Sequence, residues 1–153
     1  ELVERLRCAI PGAALSTDVI VGFPGETAEQ FQGTYELLAN IRFDAVHVAA
    51  YSPRPGTMAA RTLVDDIAHE EKMRRLEQVE ALQESIQGEI NVCLLGESVE
   101  VLVERERKGK WEGRTRTGKL VFFSDERDRA GQLVHVMVEK TSPWALQGRL
   151  VDS

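Results

Sequence analysis

The chain has 153 residues, of which 42% are hydrophobic and 29% are charged, and its net charge at pH 7 is −6. This length accommodates one domain or two small ones, and the composition excludes an intrinsically disordered chain. No apolar run approaches the roughly 18 residues that a membrane helix needs, so we expect a cytoplasmic protein that does not enter a membrane. The acidic start at Glu1–Arg5 excludes a secretory signal, and without an initiator methionine we expect a piece of a longer protein.

The reactive side chains form no familiar catalytic or metal-binding pattern. Cys8 and Cys93 lie far apart, and neither a CxxC motif nor a Cys/His cluster occurs. We therefore predict no metal site and two incidental thiols in a reducing compartment. No Ser/His/Asp set and no pair of carboxylates stands out, so we assign no catalytic residue.

Charge and residue pattern both change along the chain. Residues 1–90 carry 15 acids and 8 bases, whereas residues 91–153 carry 10 acids and 11 bases. Long helical patterns dominate the first part, and short β-branched alternations broken by glycine dominate the second. We therefore predict two domains, residues 1–88 and residues 89–153. The overall acidity argues against nonspecific nucleic-acid binding by the whole chain but allows a local basic patch in the second part.

The first part alternates between helix and strand. The predicted elements are a helix over residues 2–10, a buried strand around 19–21, a helix from 27 to 41, a strand over 44–51 and a helix from about 68 to 87. Thr27 and Gln30 have the spacing of a capping box. The inward face of the last helix is predicted to comprise Met73, Leu76, Val79, Leu82 and Ile86. This order indicates a parallel α/β unit, and two parallel strands are too few to bury both faces, so further barrel strands are expected.

Two loops lie where ligands bind in such units, at the carboxyl ends of the strands. The turn Gly22–Thr27 opens a helix, so we expect it to present free backbone N–H groups, with glycines that allow a ligand close to the backbone. The alternative is a tight turn with Glu26 exposed. In the loop Ser52–Thr57, Arg54 lies between two prolines and is a preorganised cation for phosphate or carboxylate. Its alternative is a surface arginine on a stiff loop.

The second part predicts a small β-barrel. Five short strands in about 60 residues are typical of an OB-like barrel, a scaffold that often binds oligonucleotides. Cations and aromatic residues alternate around one hairpin pair, and these can hold phosphates and stack on bases. The alternative is that the aromatic side chains form the core and the charges are merely solvated. Because Phe122 and Phe123 are adjacent on a strand, at most one of them is expected to point into the core.

Three sequence blocks together resemble the radical-SAM methylthiotransferases. They are DVIVGFPGET at residues 18–27, YSPRPGT at residues 51–57 and GRTR at residues 113–116, in the order and spacing of that family. The Pro-Arg-Pro of the second block is similar to the branch that modifies tRNA. The resemblance covers essentially the whole chain. It implies an α/β plus all-β fold class, in which the C-terminal part of a partial (β/α) radical-SAM barrel is followed by a five-stranded OB-like TRAM β-barrel.

The resemblance also implies an activity, cofactors and a partner. The family adds a methylthio group to carbon 2 of a prenylated adenosine beside the anticodon, with S-adenosylmethionine and two 4Fe-4S clusters. The expected partner is the tRNA anticodon stem-loop, bound by a monomer. The CxxxCxxC motif of the radical cluster is absent from these residues, and Cys8 and Cys93 cannot hold a cluster. We therefore expect this chain alone to be inactive.

The resemblance and the residue patterns lead to two sets of candidate site residues. The residues expected to form part of the S-adenosylmethionine pocket are Ile20, Val21, Gly22, Phe23, Pro24, Gly25, Glu26, Tyr51 and Ser52. The residues expected to bind RNA are Arg54, Trp111, Arg114, Arg116, Lys119 and Phe122. Two alternatives remain open. One is a stand-alone RNA-binding module, and the other is a different α/β enzyme with an accessory β domain.

Overall fold

A computed structural model describes residues 1–151, and these residues form two compact units. The α/β unit comprises residues 15–83, and the barrel unit comprises residues 1–14 together with the chain from residue 84 onward. The helices are α1 (Leu2–Ala9), α2 (Ala28–Ile41), α3 (Met58–Thr62) and α4 (His69–Val92). The strands are β1 (Ser16–Val21), β2 (Ala45–Ala50), β3 (Ser98–Arg107), β4 (Lys110–Thr115), β5 (Leu120–Phe123), β6 (Leu133–Thr141) and β7 (Leu146–Leu150).

These elements agree with the sequence pattern except at one short helix. The Thr27 side chain and the Gln30 side chain form the predicted capping box at the start of α2. The short helix α3 was not predicted, although Thr57 caps it by accepting a hydrogen bond from the Ala60 N–H. Helix α4 runs through position 88, so the predicted domain boundary lies within a continuous helix. No helix among residues 1–151 is both long and apolar enough to cross a membrane.

The α/β unit is built on a parallel strand pair that is covered on one face. Strands β1 and β2 pair from Ser16↔Ala45 to Val21↔Ala50. On the covered face, four buried side chains form the core: Val21, Phe31, Leu38 and Val79. On the other face Ile20 is 57% exposed, in keeping with the expectation that two parallel strands are too few to bury both faces. The carboxyl ends of both strands lie at the same edge.

The barrel unit contains a closed β-barrel with the strand order β3-β4-β5-β7-β6. All pairs are antiparallel except β5 and β7, which are parallel. The nine buried residues of its core are Val101, Val103, Trp111, Val121, Phe123, Val134, Val136, Val138 and Leu146. This mixed barrel confirms the predicted five-stranded OB-like architecture.

Glycine allows two strands of this barrel to approach their neighbours closely. A Cβ atom built on Gly113 would overlap the Leu102 carbonyl oxygen, and one built on Gly148 would overlap the Met137 carbonyl oxygen. Neither glycine has a positive φ, so the requirement is for space rather than for backbone conformation. Closure of the barrel therefore depends on the missing side chain at these positions.

Candidate functional site

A groove of about 360 Å³ lies at the carboxyl ends of β1 and β2. Five of the predicted site residues line it: Ile20, Phe23, Tyr51, Ser52 and Arg54. The Phe23 and Tyr51 rings meet edge to face with their centroids 5.1 Å apart. The uncovered face of the strand pair supplies an apolar floor through Ile20, and the loop after β2 supplies the polar rim. The two predicted loops are thus brought together at one groove.

Two other predicted cofactor residues face away from this groove. The Val21 side chain is completely buried in the core of the α/β unit. Gly22 has a φ of +69°, which favours glycine. A Cβ atom on Gly22 would overlap the side chain of Lys72 on α4. On the side where a Cβ atom would lie, the space beside Gly22 is therefore filled by Lys72.

The turn after β1 does not present the free N–H groups that its glycines led us to expect. The Gly22 N–H donates to Glu26 Oε2 at 2.7 Å, and the Gly25 N–H donates to Asp66 Oδ1 at 2.8 Å. The Glu26 N–H donates to the Phe23 carbonyl at 2.8 Å. Because carboxylates of the chain already occupy two of these donors, the turn is a poor anion site.

Two buried cations of α4 hold the turn and the end of β2 in place. Lys72 Nζ lies 2.5 Å from Asp65 Oδ1, donates to the Tyr51 carbonyl at 3.3 Å and stands 5.2 Å from the Tyr51 ring centroid. Arg75 Nη1 lies 2.5 Å from Glu26 Oε2 and donates to the Glu26 carbonyl at 3.1 Å. Glu26 is thus largely buried in an ion pair, contrary to the alternative in which it is exposed.

The sequence contains a signal for the buried ion pairs of Lys72 and Arg75, but the pattern of apolar residues in α4 obscured it. Five of the six buried residues of α4 form a single stripe at helical spacing: Lys72, Arg75, Val79, Gln83 and Ile86. The predicted inward face shares only Val79 and Ile86 with this stripe. A charged residue on the buried stripe of a helix requires a partner of opposite charge, and only the folded structure shows which residue that partner is.

Acidification is expected to weaken the ion pairs that Glu71 forms with Arg74 and Arg75 on α4. Hydrogen bonds from Arg74 and then Arg75 lower the pKa of the Glu71 carboxyl from 4.5 to about 2. Such a group stabilises the fold above the ordinary pKa, and the contribution disappears as the pH falls toward the lowered pKa. The difference in Tm between the wild type and Glu71→Gln should therefore shrink between pH 4.5 and about 2. Circular dichroism melts over this range test it, with the exposed Glu70→Gln as the control. A Tm difference that stays constant over this pH range would contradict a stabilising role of the Glu71 ion pairs.

The aromatic residues of the barrel divide between its inside and its outside. Trp111 is only 7% exposed, and its indole N–H donates to the Asp125 carbonyl at 3.2 Å. The prediction that Trp111 stacks on RNA is therefore corrected, because its ring belongs to the core. Phe123 is also buried, whereas Phe122 is half-buried on the outer surface. This division confirms that at most one of the two adjacent phenylalanines points inward.

The predicted RNA-binding arginines around the β4–β5 hairpin are exposed but paired, and Lys119 is half-buried. Arg114 Nε lies 3.4 Å from Glu104 Oε1, and its Nη1 donates to the Gly118 carbonyl at 3.0 Å. Arg116 is 81% exposed and lies 2.7 Å from Glu100 Oε1. Lys119 is adjacent in the same hairpin turn, where its N–H donates to Thr115 Oγ1 at 3.1 Å. A phosphate would have to compete with carboxylates for both arginines.

Sequence reasoning did not single out a buried carboxylate on the outer surface of the same barrel. Glu112 has a side chain that is only 4% exposed, beneath Arg105 and Arg107. Its Oε1 accepts hydrogen bonds from Arg105 Nε at 3.1 Å and from Arg105 Nη2 at 2.7 Å. In the sequence Glu112 is one of several charged residues in a hairpin, and its burial depends on the pairing of β4 with β3.

The described residues do not fit an iron–sulfur cluster. Among residues 1–151 no group of three or more His, Cys, Asp or Glu side chains is arranged to hold a metal. Cys8 and Cys93 are exposed and are not joined in a disulfide. Cluster ligation requires several thiolates in one place. The groove at the strand ends has the apolar floor and polar rim that suit part of an organic cofactor instead.

Comparison with known proteins identifies the class of the barrel and then the family. Residues 94–151 match the model of the TRAM domain, so the closed barrel is a TRAM domain. The chain is 53% identical over 152 residues to the tRNA-2-methylthio-N(6)-dimethylallyladenosine synthase of Dehalococcoides mccartyi strain CBDB1, covering 99% of this chain and 36% of that protein. It is likewise 53% identical to the synthase of Roseiflexus sp. strain RS-1, covering 100% of this chain and 33% of that protein.

A more distant relative gives the same result. The synthase of the same name from Chlorobium phaeobacteroides is 46% identical over 97% of this chain and 34% of that protein. The chain belongs to the family of these tRNA methylthiotransferases, which confirms the resemblance that its three sequence blocks carry. It spans about a third of the length of the curated relatives that it matches.

Proposed function

We propose that this chain supplies the RNA-binding barrel and one wall of the cofactor pocket to a tRNA methylthiotransferase. The proposed reaction adds a methylthio group to carbon 2 of a prenylated adenosine next to the anticodon. One observation carries the proposal: the chain is 53% identical to the tRNA-2-methylthio-N(6)-dimethylallyladenosine synthase of Dehalococcoides mccartyi strain CBDB1. The match covers 99% of the chain and therefore includes both units. We further propose that the protein acts in the cytoplasm as a monomer on the tRNA anticodon stem-loop.

The groove of the α/β unit supports a role in binding S-adenosylmethionine. That cofactor supplies the methyl group and the radical-forming adenosyl group of the proposed reaction. In this chain Ile20 would support its apolar portion, the edge-to-face pair of Phe23 and Tyr51 would border it, and Ser52 would face its polar portion. Pro24, Gly25 and Glu26 would shape the turn that borders the groove.

The proposed RNA contacts are four cations and Phe122, an aromatic residue on the outer surface of the barrel. Arg54 lies at the rim of the groove, and Arg114, Arg116 and Lys119 lie around the β4–β5 hairpin. These side chains would hold phosphates, because cations dominate the affinity of most RNA-binding surfaces. Phe122 would offer its ring to an unpaired base.

Alanine substitution of Arg114 or Arg116 tests the RNA-binding part of the proposal. We expect either variant to bind an anticodon stem-loop more weakly, with the slope of log K against log salt reduced by about 0.7–0.9. Fluorescence anisotropy titrations at several salt concentrations measure both quantities. Arg5→Ala, on α1, is the matched control. Unchanged affinity and unchanged slope would remove these arginines from the RNA surface.

The closed barrel favours one alternative function, a stand-alone RNA-binding module without catalysis. A TRAM barrel needs no second unit to complete its own sheet. The two functions differ in what precedes residue 1 in the reading frame. Codons for a CxxxCxxC motif upstream would favour the enzyme, and a start codon immediately upstream would favour the module.

A further inference from the structure

We propose that single-stranded RNA crosses the barrel along a row of outward side chains, one from each strand, with a base stacked on Phe122. This inference rests on the proposed RNA binding and specifies where it occurs. The row, in the order of the strands, is Arg105 (β3), Glu112 (β4), Phe122 (β5), Gln147 (β7) and Lys140 (β6). We call it the cross-barrel row.

Strand register places these side chains next to one another. Arg105 pairs with Glu112, and Glu112 pairs with Phe122. Phe122 pairs with Gln147, and Gln147 pairs with Lys140. Registered neighbours on one face of a sheet have Cβ atoms about 5 Å apart. Four such steps follow about 19 Å of the curved outer surface of the closed barrel, which suits a short, flexible oligonucleotide better than a single nucleotide.

All members of the row point outward because their strand neighbours point inward. The core residue Trp111 precedes Glu112 in β4, and the core residues Val121 and Phe123 flank Phe122 in β5. Leu146, also in the core, precedes Gln147. Irregularities in register at Glu104 and Glu139 shift the pairing by one residue in β3 and in β6. These bulges bring Arg105 and Lys140 to the outer face, although strict alternation along their strands would not.

A shallow groove of about 160 Å³ lies over the end of the row formed by Phe122, Gln147 and Lys140. Its lining includes Phe122, with Lys110 and Lys140 as the cations and Ser124 and Gln147 as neutral hydrogen-bonding groups. Glu139 also borders it, but its carboxylate lies 3.1 Å from Arg149 Nε and is neutralised there. An aromatic ring bordered by ammonium groups suits a stacked base whose flanking phosphates lie on the cations.

The lysines of this groove are better placed for phosphate than the arginines of the hairpin turn. In the described part of the chain, neither Lys110 nor Lys140 lies within 4.0 Å of a carboxylate. Arg114 and Arg116 instead form ion pairs with Glu104 and Glu100. A phosphate on the lysines would therefore displace only water and counterions.

Glu112 is assigned as the positioning residue at the other end of the row. It holds Arg105 through two hydrogen bonds to Oε1, and the Arg105 side chain remains 63% exposed. Its Oε2 is buried and accepts no hydrogen bond from the described residues, and Arg107 Nη1 lies 3.8 Å away. The carboxylate therefore orients the guanidinium of Arg105 while leaving its outer edge open to a phosphate.

Phe122 requires an unpaired base, which selects a single strand over a duplex. A base inside a duplex has both faces stacked, whereas loop bases can be splayed out onto an aromatic side chain. An anticodon stem-loop offers such bases. A regular RNA duplex presents phosphates and ribose hydroxyls to a protein surface and offers no unstacked base to the Phe122 ring.

Titration of the 153-residue chain with a fluorescein-labelled anticodon stem-loop tests the row. Lys110→Ala and Lys140→Ala are each expected to reduce the salt slope by about 0.7, the value per phosphate for single strands. Phe122→Leu is expected to weaken binding about tenfold with an unchanged slope, because it removes a ring and no charge. Urea midpoints equal to that of the wild type show that the variants are folded, and Arg5→Ala is again the control.

Glu112→Gln separates positioning from simple electrostatics. Loss of a negative charge on an RNA surface should tighten binding if charge alone matters. If Glu112 orients Arg105, the variant should instead bind several-fold more weakly. Tighter binding would overturn the positioning role. Wild-type affinity in the Lys110, Phe122 and Lys140 variants, or equal competition by a fully paired RNA duplex, would overturn the row. If the wild-type chain fails to bind RNA at all, the proposed RNA binding itself is wrong.

Discussion

Arg75→Met is expected to destabilise the α/β unit by about 3–5 kcal/mol, the usual cost of removing one partner from a buried ion pair. The Arg75 side chain is 5% exposed, and Glu26 opposite it is 13% exposed. Without the guanidinium, the Gly22 N–H is the only remaining hydrogen-bond donor to the Glu26 carboxylate among the described residues. Urea unfolding followed by circular dichroism measures the loss. We expect the groove at the strand ends to become disordered first, because Arg75 also bonds the Glu26 carbonyl.

The neighbouring arginine is a matched control for this substitution. Arg74 is 53% exposed, and it binds Glu71 on the same helix turn. Arg74→Met should cost no more than about 1 kcal/mol, as exposed ion pairs usually do. The double variant Glu26→Gln/Arg75→Met should recover part of the loss, since it removes the unpaired buried charge. Equal losses of stability in the Arg74 and Arg75 variants would contradict the stabilising role of the buried Arg75–Glu26 ion pair.

Gly148→Ala is expected to destabilise the barrel by about 3 kcal/mol. The added Cβ would overlap the Met137 carbonyl group and crowd Val136 Cγ1, and both belong to the neighbouring strand β6. A methyl group inserted into a fully packed site typically costs about 1–3 kcal/mol, and a clash with backbone lies at the upper end because backbone cannot change rotamer. Urea unfolding followed by the fluorescence of the buried Trp111 reports this loss.

A helical glycine in the same unit provides the control. The nearest atom to a Cβ built on Gly88 is Pro143 Cγ at 3.6 Å, an ordinary contact. Gly88 lies inside α4, where alanine is favoured over glycine by about 0.5–1 kcal/mol. Gly88→Ala should therefore be neutral or stabilising. A Gly148→Ala protein as stable as the Gly88→Ala protein would contradict the close strand approach.

Local patterns in the sequence predicted most of the elements but misjudged parts of the site. The capping box at Thr27 and the alternation of the barrel strands depend on neighbours within a few residues, so they could be identified without the fold. The bonds that occupy the turn after β1 come from farther away. Asp66 is 41 residues from Gly25, and Arg75 is 49 residues from Glu26. No periodicity in the turn itself indicates that these partners exist.

The order of residues alone was enough to establish the class of each unit, the family and the two loops that border the groove. Periodicity, caps and motifs are short-range properties that a linear chain carries in full. Only the tertiary structure decided which aromatic side chains of the barrel are buried and which cations form no ion pair with a carboxylate of the described residues. Trp111 and Phe122 look alike in sequence, but barrel closure and strand register turn one inward and the other outward. Burial and ion pairing join distant segments, so they exist only once those segments meet.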